Sequence, residues 1–366
     1  VKFYIPSLPK FEELSPLFTD ILQTGQLTKG KYAEEFEKDL ENYLKVNHCI
    51  SVCNATIGLI LAIKALGLSK KVILPSFTFI STASSLLWNN IQPIFVDIDI
   101  STFNISVLLI EECLKKEKDI TGLLIPHTFG NPVNIDNILY LKKKYNLKVI
   151  FDSASSLGAE YKNKKIGNFG DCEVFSLTPT KNVIAGEGGV ISTNQKGLAE
   201  KLKILRNYGD MNNLGLNARL AEFSAILAKK SLLYIEENLK KKERLVKIYK
   251  DKLKHIPGIT FQQSLEFTRP GYKDFSILIN EDKFGMDRDT LALALEKESI
   301  PTRKYFYPPL HQQPLFKNSA IINNNLVNTE YVANRILNLP LYPKLTQEEV
   351  EHICQTIIRI HESCKK

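Results

Sequence analysis

The chain has 366 residues, 44% hydrophobic and 24% charged, with 18 Gly and 16 Pro, a balance that excludes collagenous, low-complexity and wholly disordered chains and leaves room for one large or two moderate domains. Its net charge of +8 is spread along the whole length, which fits a solvated surface or attraction of an anionic small substrate and gives no sign of a nucleic-acid arm. Six cysteines without a CxxC spacing, an opening VKFYIPSLPK with no apolar leader, and a longest apolar run (57–66) broken by Lys64 predict a cytoplasmic protein with free thiols, no metal site and no membrane span.

In chain order, Phe11 to Leu44 reads as two helices separated by the polar turn TGQLTKGK. From about Asn47 to Ser192, seven short apolar runs (HCISVC, KVILPS, PIFVDI, GLLIPH, KVIFDS, CEVFSL, GVIST) alternate with helical stretches such as IGLILAIKALGL. That rhythm signals βαβ units. Runs that are apolar throughout suit strands covered on both faces, so the expected fold is α/β: a mostly parallel seven-stranded sheet flanked by helices, with ligands at the carboxyl ends of the strands. Arg219 to about His255 reads as helical and increasingly rich in Lys and Glu. This connector predicts a division into a large domain, 1–240, and a smaller C-terminal α+β domain, 241–366. Within the latter, Phe275–Ile279 reads as a strand, Asp287–Glu298 and Thr346–Glu362 as helices, and TRKYFYPPLHQQP as an aromatic, Pro-rich loop.

The segment FSLTPTKNVIAGEGGVIS carries the strongest chemical signal. It places Lys181 a few residues after a strand, flanked by Ser and Thr and followed by a Gly-rich turn, a position suited to face a cleft and to attack a carbonyl compound. Taken alone, Lys181 would read as a solvated loop lysine. Asp152 closes the apolar strand KVIFD, where it is either a strand-end cap or a carboxylate held under a ligand ring. SVCNATIGLILAIKAL reads as strand, turn and helix start, and a helix N-terminus of this kind binds phosphate through free amides. Trp88 reads as a core residue or a subunit contact, His127 as a strand-end histidine or a cofactor neighbour, and Cys49 and Cys53 as core.

These motifs stand in order and spacing that resemble the DegT/DnrJ/EryC1/StrS sugar aminotransferase family: NAT (54–56), PSFTFIST (75–82), the strand-end Asp152 and TPTKNVIAGEGG (178–189). GQLTKGKYAEEFE, LRNYGD (205–210), LGLNARLAEFSAILA (214–228), YPPLH (307–311) and LNLPLYPKLTQEEV (337–350) extend the likeness over essentially the whole chain. The resemblance implies a pyridoxal-phosphate enzyme of transferase fold type I. It implies that Lys181 holds the cofactor covalently and moves the proton, that Asp152 keeps the pyridine nitrogen protonated, and that Phe79 stacks on the ring. It further implies phosphate contacts from Ala55, Thr56 and Ser176, and from Asn217 of a second subunit, hence a homodimer with shared active sites. Two positions depart from the family pattern. Ser155 stands where the family carries Gln or His beside the ring, and Ala55 stands where it carries Gly, which argues for a negative or mildly strained φ. Arg219 could pair with a pyrophosphate or make a structural salt bridge, and Tyr307 and His311 fall in the stretch that lines the nucleotide-sugar site by analogy.

The activity so implied is amino transfer from L-glutamate to a nucleotide-linked keto-6-deoxy sugar. The first expectation is dTDP-4-keto-6-deoxy-glucose, giving a 4-amino-4,6-dideoxy sugar for surface polysaccharide such as lipopolysaccharide O-antigen. The C3-aminating or UDP/GDP-sugar version is the alternative. A sugar dehydratase, in which His replaces the lysine, and a non-catalytic regulatory homologue are disfavoured by the presence of Lys181, Asp152 and Ser176.

Overall fold

All seven apolar runs form strands: β1 (His48–Val52), β2 (Lys71–Pro75), β3 (Gln92–Val96), β4 (Ile120–Pro126), β5 (Lys148–Asp152), β6 (Cys172–Ser176) and β7 (Gly189–Thr193). The computed structural model of the chain describes residues 1–364. The sheet has eight strands, not the expected seven, in the order β1-β7-β6-β5-β4-β2-β3-β8. The additional strand, β8 (Ile321–Ile322), comes from far along the chain and adds parallel to β3. Two residues carry too little pattern to be read as a strand. Only β7 runs antiparallel to its neighbours; the other pairings are parallel.

Successive side chains on these strands point to opposite faces, and both faces are covered. Ile73, Leu123, Val149 and Phe151 belong to one core, which is capped by α1 (Phe11–Thr24) and α2 (Lys31–Leu44). Val72, Leu74, Leu124 and Ile150 belong to the other, packed on α3 (Ala55–Leu66). The turn between α1 and α2 is held by the buried Glu222, whose carboxylate accepts from the N–H groups of Gly30 and Tyr32, both at 2.9 Å. A Cβ at Gly30 would lie 2.7 Å from Glu222 Oε2, so a larger residue would have to displace the carboxylate that makes this cap.

The helical connector breaks at Leu233–Tyr234 into Glu222–Leu232 and Ile235–Leu253. The second helix runs uninterrupted through position 240 and carries Leu245, Val246, Tyr249 and Leu253 into a third core. That core is built on a three-stranded antiparallel sheet (Ile259–Phe261, Phe275–Ile279, Ile336–Leu339) and the closing helix Gln347–Ser363, which starts with a capping box at Thr346 and Glu349. The chain crosses between the bodies more than once. Val1, Tyr4 and Ile5 pack on the third core, while Leu310, Phe316 and Leu326 return to the core on the α3 side. Trp88, read as core or subunit contact, is not core: it is 75% exposed in this chain, at the end of the helix Ile80–Leu87. The six cysteines are free, and no helix among the described residues is long and apolar enough to cross a membrane.

One carboxylate binds the returning segment to the main sheet. Asp97, just after β3, accepts from Thr329 N and Oγ1 (both 2.7 Å), Asn328 N (2.9 Å) and Ile98 N (2.9 Å), capping the helix Val327–Arg335. Asp97→Ala leaves these donors unpaired in a buried place and is expected to lower stability by about 3 kcal/mol. Urea unfolding checks this; an unchanged midpoint would mean that the cap contributes nothing to the docking of that helix.

Candidate active site

The carboxyl ends of β2, β4, β5 and β6 and the N-terminus of α3 surround one cavity of about 550 Å³, within the size range of small-molecule and cofactor sites. Its far wall is supplied by Lys273, Asp274, Tyr305 and Phe306. Among the residues singled out from sequence, Ala55, Thr56, Phe79, Asp152, Ser155, Ser176 and Lys181 all line this cavity.

Lys181 sits on the loop after β6, and its Nζ donates to Ser155 Oγ at 3.1 Å. Burial pushes its pKa down to about 8; the charge of Lys273 adds to this, and Asp274 and Asp152 oppose it. Its neighbour Asn182 holds the loop. Asn182 Nδ2 donates to Leu157 O and Gly271 O, both at 2.9 Å, and its Oδ1 accepts from the buried Lys242. Lys242 also donates to Tyr272 O (2.7 Å) and Gly271 O (3.3 Å).

Asp152 ends β5 with both oxygens engaged: Oδ2 accepts from Thr82 Oγ1 at 2.7 Å and Oδ1 from Ala154 N at 3.1 Å. Thr78 Oγ1 lies 3.0 Å from Thr82 Oγ1 and, since Thr82 donates to the carboxylate, is the donor of that pair. Burial raises the pKa of Asp152, while those two hydrogen bonds and Lys181 work in the other direction. A buried carboxylate arranged in this way is suited to face a cation in the cavity.

The entry to α3 is built for an anion. Asn54 is extended at the N-cap and its side chain accepts from Ile57 N at 2.9 Å, leaving the N–H groups of Ala55 and Thr56 without an intrahelical acceptor. Ala55 has a negative φ and is the first helical residue, so its replacement of Gly brings no left-handed strain. The close approach is supplied instead by Gly189, where a Cβ would lie 2.7 Å from Ala55 N. Hydroxyls line the same cavity in two pairs, Thr56 with Ser81 (2.9 Å) and Ser176 with Thr178 (3.3 Å). The ring of Phe79 is 58% exposed on the cavity wall, 6.5 Å from that of Phe306.

Four predicted residues do not line this cavity. Asn217 is exposed at the end of the hairpin strand Leu214–Asn217. Arg219 donates to Asn207 Oδ1 at 2.5 Å and lies 5.0 Å over the ring of Tyr208. Tyr307 lies under the guanidinium of Arg288, 4.8 Å away. His311 is held at both ring nitrogens, Nδ1 lying 2.7 Å from Ser76 Oγ and Nε2 3.1 Å from Glu330 Oε1, and its backbone N–H donates to Ser76 Oγ at 3.0 Å, pinning the YPPLH segment to the end of β2. His127, left open between two readings, is buried beside the cavity. Its ring stacks on Phe151 at 5.0 Å, Nδ1 accepts from Val133 N, and burial lowers its pKa to about 3, keeping it neutral.

Sequence reading missed Lys273 and Asp274 altogether and met Thr82 only as the last residue of the motif PSFTFIST. Tyr305 and Phe306 lay in a stretch marked only by its aromatic composition. The one local signal for Lys273 and Asp274 is a charged pair set directly before the apolar strand FSILI. A cavity of this volume, with unpaired helix N–H groups and hydroxyls at one end, an aromatic face, a buried carboxylate and a lysine amine, fits pyridoxal phosphate. Ala55, Thr56 and Ser176 would hold its phosphate, Phe79 its ring face, Asp152 its ring nitrogen and Lys181 its aldehyde carbon.

The sequence profile of the DegT/DnrJ/EryC1/StrS aminotransferase family matches residues 10–358. The dTDP-4-amino-4,6-dideoxy-D-glucose transaminase of Shigella dysenteriae is 34% identical over 362 residues, covering 97% of each chain. The dTDP-3-amino-3,6-dideoxy-alpha-D-galactopyranose transaminase of Aneurinibacillus thermoaerophilus is 31% identical over 360 residues, covering 95% of each. Among solved structures, Helicobacter pylori PseC, an aminotransferase involved in the biosynthesis of pseudoaminic acid, superposes with a TM-score of 0.90 at 27% identity, covering 99% of each chain.

The depressed pKa of Lys181 has a direct readout. In the unloaded protein, borohydride trapping of pyridoxal at Lys181, located by peptide mapping, is expected to rise with pH around a midpoint near 8. Lys181→Ala loses the adduct and keeps its fold. A midpoint near the ordinary lysine value of 10.5 would show a solvated side chain.

Proposed function

Because the chain belongs to the DegT/DnrJ/EryC1/StrS aminotransferase family, whose enzymes depend on pyridoxal phosphate, we propose that it moves an amino group from L-glutamate to the keto carbon of a nucleotide-linked 6-deoxy sugar. The observation that carries this reading is the pairing of Lys181 and Asp152 in one cavity, with the lysine amine hydrogen-bonded to Ser155 and in no ion pair among the described residues. The likeness to the Shigella dysenteriae transaminase supports dTDP-4-keto-6-deoxy-glucose as acceptor, with amination at C4. The likeness to the Aneurinibacillus thermoaerophilus transaminase supports C3 amination as the second reading.

Bound pyridoxal phosphate supplies an electron sink for the carbon that loses its proton. The chain's own residues do the rest. Lys181 Nζ, neutral for part of the time near pH 8, takes the proton from the donor carbon and returns it to the neighbouring carbon as base and then acid. Asp152, oriented by Thr82 and the Ala154 N–H, holds the ring-nitrogen proton. Ser155 Oγ steadies the lysine amine between its two tasks. The Ala55 and Thr56 amides and the Ser176 hydroxyl hold the phosphate. Asn217 is exposed and does not line the cavity of its own chain, on a hairpin that also exposes Met211 and Leu214. This supports a homodimer in which Asn217 serves the partner's site. The product of this reaction would feed a surface polysaccharide or glycoconjugate made from cytoplasmic nucleotide sugars.

The test is spectroscopic. L-glutamate is expected to remove the visible band of the lysine-bound cofactor, and dTDP-4-keto-6-deoxy-glucose, but not its 3-keto isomer, to restore it. A band that ignores every amino donor would overturn the aminotransferase reading. Restoration by the 3-keto sugar alone would move the amine to C3. Asp152→Asn is expected to keep bound cofactor while kcat falls by about 100-fold, roughly 2.7 kcal/mol in the barrier. Wild-type rates in that variant would remove Asp152 from the role of proton holder.

A further inference from the structure

Two lysines besides Lys181 are withdrawn from solvent near the site, and they differ in how they are satisfied. Lys242 has three acceptors, Asn182 Oδ1, Gly271 O and Tyr272 O, one for each N–H of an ammonium. Its bonding capacity is exhausted, and it serves as a clamp. Lys273 lines the reaction cavity with a side chain only 10% exposed; its Nζ has one hydrogen-bond partner among the described residues, Asp274 Oδ1 at 2.9 Å, and lies 6.0 Å over the ring of Tyr305. Asp274 is 9% exposed and lines the same cavity. The segment bearing the pair is fixed: Gly271 N donates to Gly130 O (2.8 Å), Lys273 N donates to Phe129 O (3.1 Å), and the Lys242 clamp holds the carbonyls of residues 271 and 272. A nearly buried ion pair placed on rigid backbone, with donors to spare, is a recognition element rather than a source of stability.

We propose that Lys273 binds the carboxylate on the reacting carbon of the amino donor, and that Asp274 is the resident counter-ion exchanged for that carboxylate. This rests on the aminotransferase reading above. Lys273 lies close enough to Lys181 for its charge to act on that amine. Both lysines line one cavity, so Lys273 is placed to meet an anion carried beside the reacting carbon, as an α-carboxylate is; the diphosphate of a nucleotide sugar is held away from the keto carbon by the sugar ring.

The counter-ion resolves a further requirement. One cavity must accept, in turn, an anionic amino acid and a ketosugar with no charge beside its carbonyl. A lone cation would be left desolvated and unpaired in the second half of the cycle. With Asp274 adjacent, Lys273 exchanges one carboxylate partner for another when the donor enters and returns to Asp274 when it leaves.

The test uses cofactor-loaded protein and glutarate, a dicarboxylate with no amino or keto group, titrated by calorimetry. Lys273→Met is expected to weaken glutarate binding at least about tenfold, the loss of one charge-assisted hydrogen bond. Asp274→Asn is expected to tighten it several-fold, because the competing carboxylate is gone. A purely structural role would weaken binding in both variants, and that result overturns the proposal, as does wild-type affinity in Lys273→Met. In the spectroscopic assay, Lys273→Met is expected to raise the half-saturating L-glutamate concentration by a similar factor and leave that of the nucleotide ketosugar unchanged. An effect confined to the ketosugar would assign Lys273 to the diphosphate and overturn the proposal. If the wild-type band ignores all amino donors, the functional reading fails, and the two opposed glutarate shifts still decide whether Lys273 and Asp274 form an exchangeable carboxylate site.

Discussion

Holding a half-buried lysine amine and a buried carboxylate within one cavity is the constraint around which this chain is arranged. Each charge alone would be costly to desolvate. Asp152 is held by Thr82 and the Ala154 amide. Lys181 relieves the cost differently, by giving up part of its protonation, with its pKa pushed down to about 8. The same lowered proton affinity that burial imposes is what a general base working near neutral pH requires.

Such groups hold their places only on stiff supports. Asp152 stands at the end of a strand whose apolar side chains are covered on both faces of the sheet. Its neighbour Ser153 is tied to the buried Glu173 at 2.5 Å, and Glu173 in turn accepts from the Gly167 and Phe169 amides. Lys181 has no regular secondary structure of its own. Its loop is fixed sideways by Asn182, which joins it to Leu157 and to the segment that leads into Lys273. Lys242 thereby couples the Lys181 loop to the wall that carries the Lys273–Asp274 pair, so the two sides of the cavity share one clamp.

The two bodies of the fold meet over an aromatic cluster beside the cavity. Phe77 packs edge-on against Phe103, Phe129 and Phe306, and Phe129 stacks on Phe306 at 5.5 Å. Phe129 and Phe306 are at once members of this junction and lining of the site. The boundary between bodies and the wall of the cavity are thus built from the same rings. The chain secures the junction by crossing it repeatedly, with Asp97 capping the helix Val327–Arg335 and Ser76 holding His311.

The sequence by itself determined the strands of the main sheet up to Thr193, because a strand covered on both faces must be apolar along its whole length and that signal is local. It also determined Lys181, Asp152, Ser176 and the entry to α3, because each lies within a few residues of a strand end and the carboxyl ends of parallel strands converge on one place. Only the tertiary structure decided the rest. β8 is a two-residue addition whose pairing depends on where a distant loop returns. Asn217, Arg219, Tyr307 and His311 resemble site residues in their motifs, yet within one chain they bond to other partners or face outward. Lys273 and Asp274 read as an ordinary charged pair before a strand, and they reach the cavity because the segment containing them docks on Phe129 and Gly130. Local chemistry is written in local sequence, whereas the far wall of a cavity is set by contacts between residues more than a hundred positions apart, and periodicity carries no record of those.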